Sequence, residues 1–152
     1  MEQPVVTCKV ENCLYSNSSL TKLIFNIRQE VFVKEQKVSR EEEFDAYEQT
    51  SVHYLASYEG VPAGTARWRI TDNGIKLERF AVLITMRGKG IGNMLLKKVL
   101  HHTVPAGLPI YLHAQVTALT FYERAGFKKE GPMFSEANID HFKMMYNGPD
   151  SL

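Results

Sequence analysis

The stretch Leu77–Gly92 (LERFAVLITMRGKGIG) concentrates the residues best suited to chemistry. Gly88, Gly90 and Gly92 stand between a strand-like run and an amphipathic helix. A helix N-terminus leaves backbone N–H groups unpaired and carries partial positive charge. Glycines let an anion approach that backbone, and Arg87 and Lys89 add formal charge. The pattern predicts a phosphate or pyrophosphate cradle, with a tight structural connection as the alternative. A Walker loop would need Gly, four residues, then Gly-Lys-Ser/Thr, which is absent. A Rossmann fingerprint would place an acidic ribose partner about 20 residues on, where Leu108–Leu112 stand instead.

Other polar groups are scattered. His53, His113 and His141 carry imidazoles, a side chain suited to proton transfer or else to structural hydrogen bonding. Glu41-Glu42-Glu43 with Asp45 would attract a cation or form a solvated loop. His101-His102 reads as a surface pair at a helix end. Cys8 and Cys13 read as reduced thiols. No His, Cys or carboxylate cluster has ligand spacing, so no metal is expected.

The elements that must position these groups follow from periodicity. Residues 5–10 read as a strand, and Ser16–Ser19 as a turn and helix cap. Leu20, Leu23, Ile24, Ile27 and Val31 form one apolar helical stripe. Residues 39–45 read as a polar loop. Strands follow over Val52–Tyr58, Thr65–Ile70 and Ile75–Val82, with turns at Gly60–Gly64 and Asp72-Asn73-Gly74. This predicts a four-stranded antiparallel meander with a helix inserted after its first strand. A helix then opens at Ile91 and ends before Pro105–Pro109. Ile110–Ala114 reads as a buried strand, Leu119–Ala125 as a short helix capped by Gly126, and Phe127 onward and Ile139–Tyr146 as strands. Helices alternating with strands in the second half imply parallel or mixed pairing there. The fold class is α/β (α+β) with a mixed sheet, a single domain over 1–152.

Composition narrows the function classes. The chain has 152 residues, 44% apolar and 23% charged, with 18 basic against 17 acidic side chains. A net charge of +1 gives no general pull toward nucleic acid or anionic membrane. No apolar run approaches the roughly 20 residues of a membrane span. The start, Met1-Glu2-Gln3-Pro4, lacks signal-peptide character, so a cytoplasmic location is expected.

Arg87-Gly88-Lys89-Gly90-Ile91-Gly92 resembles the acyl-CoA pyrophosphate motif of the GNAT superfamily of N-acyltransferases, Arg/Gln-x-x-Gly-x-Gly/Ala. Glu78–Val82 resembles the strand that pairs with the pantetheine arm. Ala118 with Phe121–Phe127 resembles the second signature, Asn-x-x-Ala-x-x-Leu-Tyr-x-Lys-x-Gly-Phe, except that Gln115 takes the Asn position. Arg28 with Val31–Gln36, the acidic loop, Phe134–Met144, His53 and Leu112–Gln115 resemble the ElaA-like branch.

The resemblance implies a GNAT fold, a mixed, splayed sheet flanked by helices with acetyl-CoA between two central strands. It implies transfer of an acetyl group to a small-molecule or peptidyl primary amine in a ternary complex. A GNAT-fold module that binds acyl-CoA without transfer is the alternative. It places the cofactor against Phe80, Ala81, Val82, residues 87–92 (Arg87, Gly88, Lys89, Gly90, Ile91, Gly92), Ala118, Phe121 and Tyr122. The Val82 N–H would stabilise the thioester oxygen, and Tyr122 would protonate the leaving thiolate. Glu78 is the first candidate base, because period-2 alternation sends its side chain to the same face as Val82. His53, His113 and His141 are alternatives; with Glu35 and Gln115 they are the expected acceptor-side residues. Monomer and homodimer both stay open.

Overall fold

Residues 7–148 are described by a computed structural model. Seven strands form one sheet in the order β1-β2-β3-β4-β5-β7-β6. They are β1 (Cys8–Leu14), β2 (Val52–Tyr58), β3 (Val61–Thr71), β4 (Gly74–Val82), β5 (Ile110–Gln115), β6 (Phe127–Glu136) and β7 (Ile139–Tyr146). β1 to β4 form the expected antiparallel meander. β4 and β5 are parallel, and every other neighbouring pair is antiparallel.

Among the described residues four α-helices flank the sheet: α1 (Ser18–Arg28), α2 (Arg40–Glu43), α3 (Ile91–Thr103) and α4 (Leu119–Arg124). Ile75 and Leu77 of β4, Leu112 of β5 and Met144 of β7 pack with Leu95, Leu96 and Val99 of α3 in one apolar cluster. Ile24, Ile27, Val31 and Phe32 pack with Leu55 and Ala81 in a second cluster on the opposite face. The mixed, splayed sheet flanked by helices is the architecture expected from the sequence.

Several boundaries differ from expectation. β1 runs from Cys8 to Leu14 rather than over 5–10, whose first two residues lie outside the described range. The turn before β3 is tighter than Gly60–Gly64: Glu59 and Gly60 both have positive φ, so pairing resumes at Val61. Residues 39–45 are not simply a loop. Ser39 caps α2, its Oγ accepting from the Glu42 N–H at 3.2 Å. The apolar stripe also continues beyond α1 into a π-helical stretch, Gln29–Glu35, which carries Val31 and Phe32 inward. Leu23, expected on that stripe, is exposed.

Two features of β4 set up the site. Pairing with β5 lasts three residues, Ile75, Lys76 and Leu77 against Ile110, Tyr111 and Leu112, and the strands then part. Gly74 starts this seam. A Cβ there would lie 2.2 Å from the Pro109 carbonyl oxygen, so only glycine allows the close approach. Past Glu78 the register with β3 slips, so that Arg79 and Phe80 together face Ala66, with Arg79 at φ +60°. This β-bulge bends the strand and increases its twist. It also breaks period-2 alternation: Leu77 joins the α3 cluster before the bulge, and Phe80 and Val82 join it after. Glu78 therefore faces the α1 side and Val82 the α3 side, which corrects the shared-face expectation.

Candidate active site

A cleft of about 740 Å³ opens where β4 and β5 part. Its wall includes Glu78, Phe80, Ala81 and Val82 of β4, His113 and Gln115 of β5, and Ala118, Phe121 and Tyr122. Glu136 and His141 close the β6–β7 side. A second hollow adjoins it, lined by Gly88, Gly90, Ile91, Gly92 and Asn93 at the start of α3 and by Lys97 and Arg124.

The glycine turn is built as an anion cradle would be. Gly88 and Gly90 have φ of +81° and +78°, and no atom lies within 4 Å of where a Cβ would stand. The first helical hydrogen bond of α3 runs from the Met94 N–H to the Gly90 carbonyl, 3.1 Å. The N–H groups of Ile91, Gly92 and Asn93 thus have no helical acceptor, and no side chain caps the helix. These groups fit a pyrophosphate, so the chain's residues suit the CoA moiety the sequence suggested. The cationic residues of the turn are occupied differently. Arg87 forks onto Glu35 at 2.8 and 2.7 Å, and its Nε donates to the Val82 carbonyl at 2.9 Å. The Lys89 ammonium sits 5.1 Å from the Tyr58 ring centroid.

Beside the gap, Leu83 donates to the Ala63 carbonyl at 2.9 Å. Alternation then turns the Val82 N–H away from β3, into the space β5 has left. Tyr122 is 8% exposed and makes edge contacts with the rings of Phe80, Phe121 and Phe127. Burial pushes its phenol above the ordinary tyrosine range.

The α1 side of the cleft is charged. Glu78 accepts from Arg67 Nη2 at 3.1 Å and Arg69 Nε at 2.7 Å, and Lys76 Nζ stands 3.3 Å away. Burial would raise this carboxyl, but Arg67 and Lys76 foremost outweigh it and hold it below its ordinary value. A carboxylate held in this way is a poor proton acceptor. Across the gap, His113 Nδ1 lies 3.4 Å from Glu136 Oε1, and His141 Nε2 3.8 Å from Glu136 Oε2. The His113 contact, against some burial, draws the Glu136 carboxyl down to about 2. Gln115 donates to Gln36 Oε1 at 2.8 Å, linking β5 to the segment after α1.

Two expected acceptor-side residues do not reach the cleft. His53 is 1% exposed, with Nε2 2.9 Å from the Glu48 carbonyl, beneath α1. Strand position alone could not say which face of β2 it occupies. Glu35 lies outside the cleft wall, paired to Arg87. Within the acidic stretch Glu41 and Glu42 are exposed, but Glu43 is not free to draw a cation: it is 3% exposed and its carboxylate meets Arg28 at 2.8 Å and Arg79 at 3.1 Å. His102 is exposed, as expected of the pair, and its Nδ1 lies 2.8 Å from the Tyr54 hydroxyl. Sequence reading missed Arg69, Lys76, Arg79, Gln36 and Glu136 as cleft residues. Lys76 alternates with the core residues Ile75 and Leu77, a signal that it shares a face with Glu78.

Residues 14–147 match the family described as an acetyltransferase (GNAT) domain. The chain is 39% identical over 135 residues to YjcF of Bacillus subtilis, an uncharacterized N-acetyltransferase, covering 85% of this chain and 94% of that one. Among solved structures it resembles Escherichia coli ElaA, with a TM-score of 0.83 at 23% identity over 93% of this chain and all of the other. The PaiA N-acetyltransferase of Thermoplasma acidophilum, solved in complex with coenzyme A, superposes with a TM-score of 0.64 at 18% identity, covering 91% and 98%. The chain belongs to the GNAT acetyltransferase family. It is an acyltransferase, of a family that uses acyl-CoA.

Proposed function

We propose that the protein transfers an acetyl group from acetyl-CoA to a primary amine by direct attack within the cleft. The observation that carries this reading is the parted β4–β5 seam, with the open glycine turn at one end and Tyr122 beside it.

The backbone of residues 88–92 and the N-terminus of α3 bind the pyrophosphate. Phe80, Ala81, Ala118 and Phe121 line the path of the pantetheine arm. Acetyl-CoA supplies the thioester. The Val82 N–H donates to its carbonyl oxygen where negative charge develops. An alkyl ammonium is almost wholly protonated at neutral pH, so a base must act. His113 is that base: Nδ1 is held by Glu136, no hydrogen bond of Nε2 is found among the described residues, and Nε2 takes the amine proton. Glu136 is a positioning residue, and the ion-paired Glu78 is not the base. The amine nitrogen bonds to the carbonyl carbon, the C–S bond breaks, the Tyr122 hydroxyl gives the thiolate its proton, and the tyrosinate takes the second proton from the nitrogen as the amide forms.

The first test is thermal-shift titration with acetyl-CoA, CoA, ATP and NAD. Stabilisation by the two CoA species alone, abolished in Gly90→Glu, is the expected result. Equal response to ATP or NAD, or none to CoA, overturns the reading. For the base, His113→Gln is expected to flatten the acidic limb of the kcat/KM profile. A limb that survives transfers the role away from His113.

A further inference from the structure

The ion network on the α1 side of the cleft is one anion short. Arg28, Arg67, Arg69, Lys76 and Arg79 are joined through Glu43, Asp45, Glu48 and Glu78, five cations against four carboxylates. Arg28 and Arg67 are sealed and fully engaged, at 0% exposure each. The surplus lies at the cleft. Arg69 spends only its Nε, on Glu78, and its guanidinium is fixed 3.8 Å from the Tyr47 ring centroid. Among the described residues its Nη1 and Nη2 meet no acceptor, and the Lys76 ammonium, 3.3 Å from Glu78, makes no hydrogen bond. Both side chains are mostly buried, at 16% and 13% exposure, and both line the cleft. On the other arm Glu136 feels the Lys76 charge, but its contacts are with His113 and His141, and no ion pair to Lys76 forms among the described residues.

The unpaired nitrogens of Arg69 and Lys76 are open to the cleft rather than sealed from solvent, so an anion that the cleft admits can take their donors. A planar guanidinium beside an ammonium matches a carboxylate. Lys76 pairs in register with Tyr111, two residues before His113, so this cationic corner neighbours the base. An acceptor with an amine and a carboxylate a few bonds apart spans the two, amine toward His113 and Glu136, carboxylate toward Arg69 and Lys76.

We infer that the acceptor is an amine bearing a carboxylate, of the amino-acid class, and that Arg69 and Lys76 form its carboxylate subsite. This rests on the transfer reading above and names the substrate class of that site.

The test uses matched pairs: phenylalanine and phenethylamine, leucine and isoamylamine, lysine and cadaverine, histidine and histamine. Thiol release is followed with acetyl-CoA, and the N-acetyl product of each member is titrated against the protein with CoA present. The carboxylate member of at least one pair is expected to win by about ten- to hundred-fold, the worth of charge-assisted hydrogen bonds. In Arg69→Gln and Lys76→Met, whose folding is checked by circular dichroism, the ratio is expected to fall toward one, with Lys76→Arg restoring part of it. A wild-type protein that favours the carboxylate in no pair overturns the inference, as does a preference that survives both substitutions. Discriminating product binding without thiol release from any amine would instead remove the transfer reading and leave the subsite standing.

Discussion

The two sides of the gap between β4 and β5 are made of different materials. The glycine-turn side is backbone. Its donors are main-chain N–H groups of consecutive residues, exposed because glycines at 88 and 90 hold positive φ. The opposite side is side chain. Its charges come from α1, the segment around α2, β3 and β4, residues as far apart as Arg28 and Arg79. A backbone site needs only a local conformation and tolerates change in its neighbours. A site of buried charges needs every member, because each removed partner leaves another charge uncompensated.

Breaking the charged side should therefore cost most. Glu48 accepts from Arg28 and Arg67 and is 6% exposed. Glu48→Gln is expected to lose about 3–5 kcal/mol in urea unfolding, the usual penalty for orphaning a buried ion. A loss under about 1 kcal/mol would mean water reaches these arginines, and the contrast between the two sides would dissolve. Tyr122, between the sides, makes no hydrogen bond among the described residues that its loss would orphan. Tyr122→Phe is expected to lower kcat by about a hundred-fold, close to 3 kcal/mol, with the Kd for acetyl-CoA nearly unchanged. Unchanged turnover in single-turnover assays takes Tyr122 out of the reaction.

The charged side also has an acid signature. Burial would raise Asp45, but its hydrogen bonds and charge contact with Arg67 overcome that and bring it to about 2, from 3.8. A depressed carboxyl contributes stability above its unfolded pKa, and the contribution is lost as pH falls through the folded value. Roughly 2 kcal/mol is expected to disappear between about pH 4 and pH 2, and Asp45→Asn should flatten that part of the stability curve. A profile identical to wild type there refutes the assignment. The backbone side should respond least. Gly90→Ala adds a Cβ that meets nothing within 4 Å, so only the left-handed φ is penalised, about 1 kcal/mol in thermal unfolding.

The same difference explains what could be read before folding. The meander, α3, the glycine turn and Tyr122 are legible because each is a run of neighbours whose periodicity or spacing carries the message. The splay was legible only through family resemblance. Its position depends on the bulge at Arg79, where a non-glycine residue takes positive φ against its own preference. The inserted residue also put Val82 on the face opposite Glu78, against the alternation on which the reading of Glu78 as base rests.

His53 and His113 look alike in sequence, each in an alternating strand. Packing beneath α1 buried the first, and divergence from β4 opened the second to the cleft. In the acidic run Glu41 and Glu42 are exposed, as a solvated loop would have them, but Glu43 is buried against Arg28 and Arg79, each distant in the chain. The sequence by itself carried the family resemblance, the strand order and the glycine turn, since these rest on residue types and local spacing. Tertiary structure decided which charges meet, which histidine faces the gap and where two cations keep donors to spare. Those outcomes depend on distances between residues far apart in the chain, and no local pattern encodes a distance.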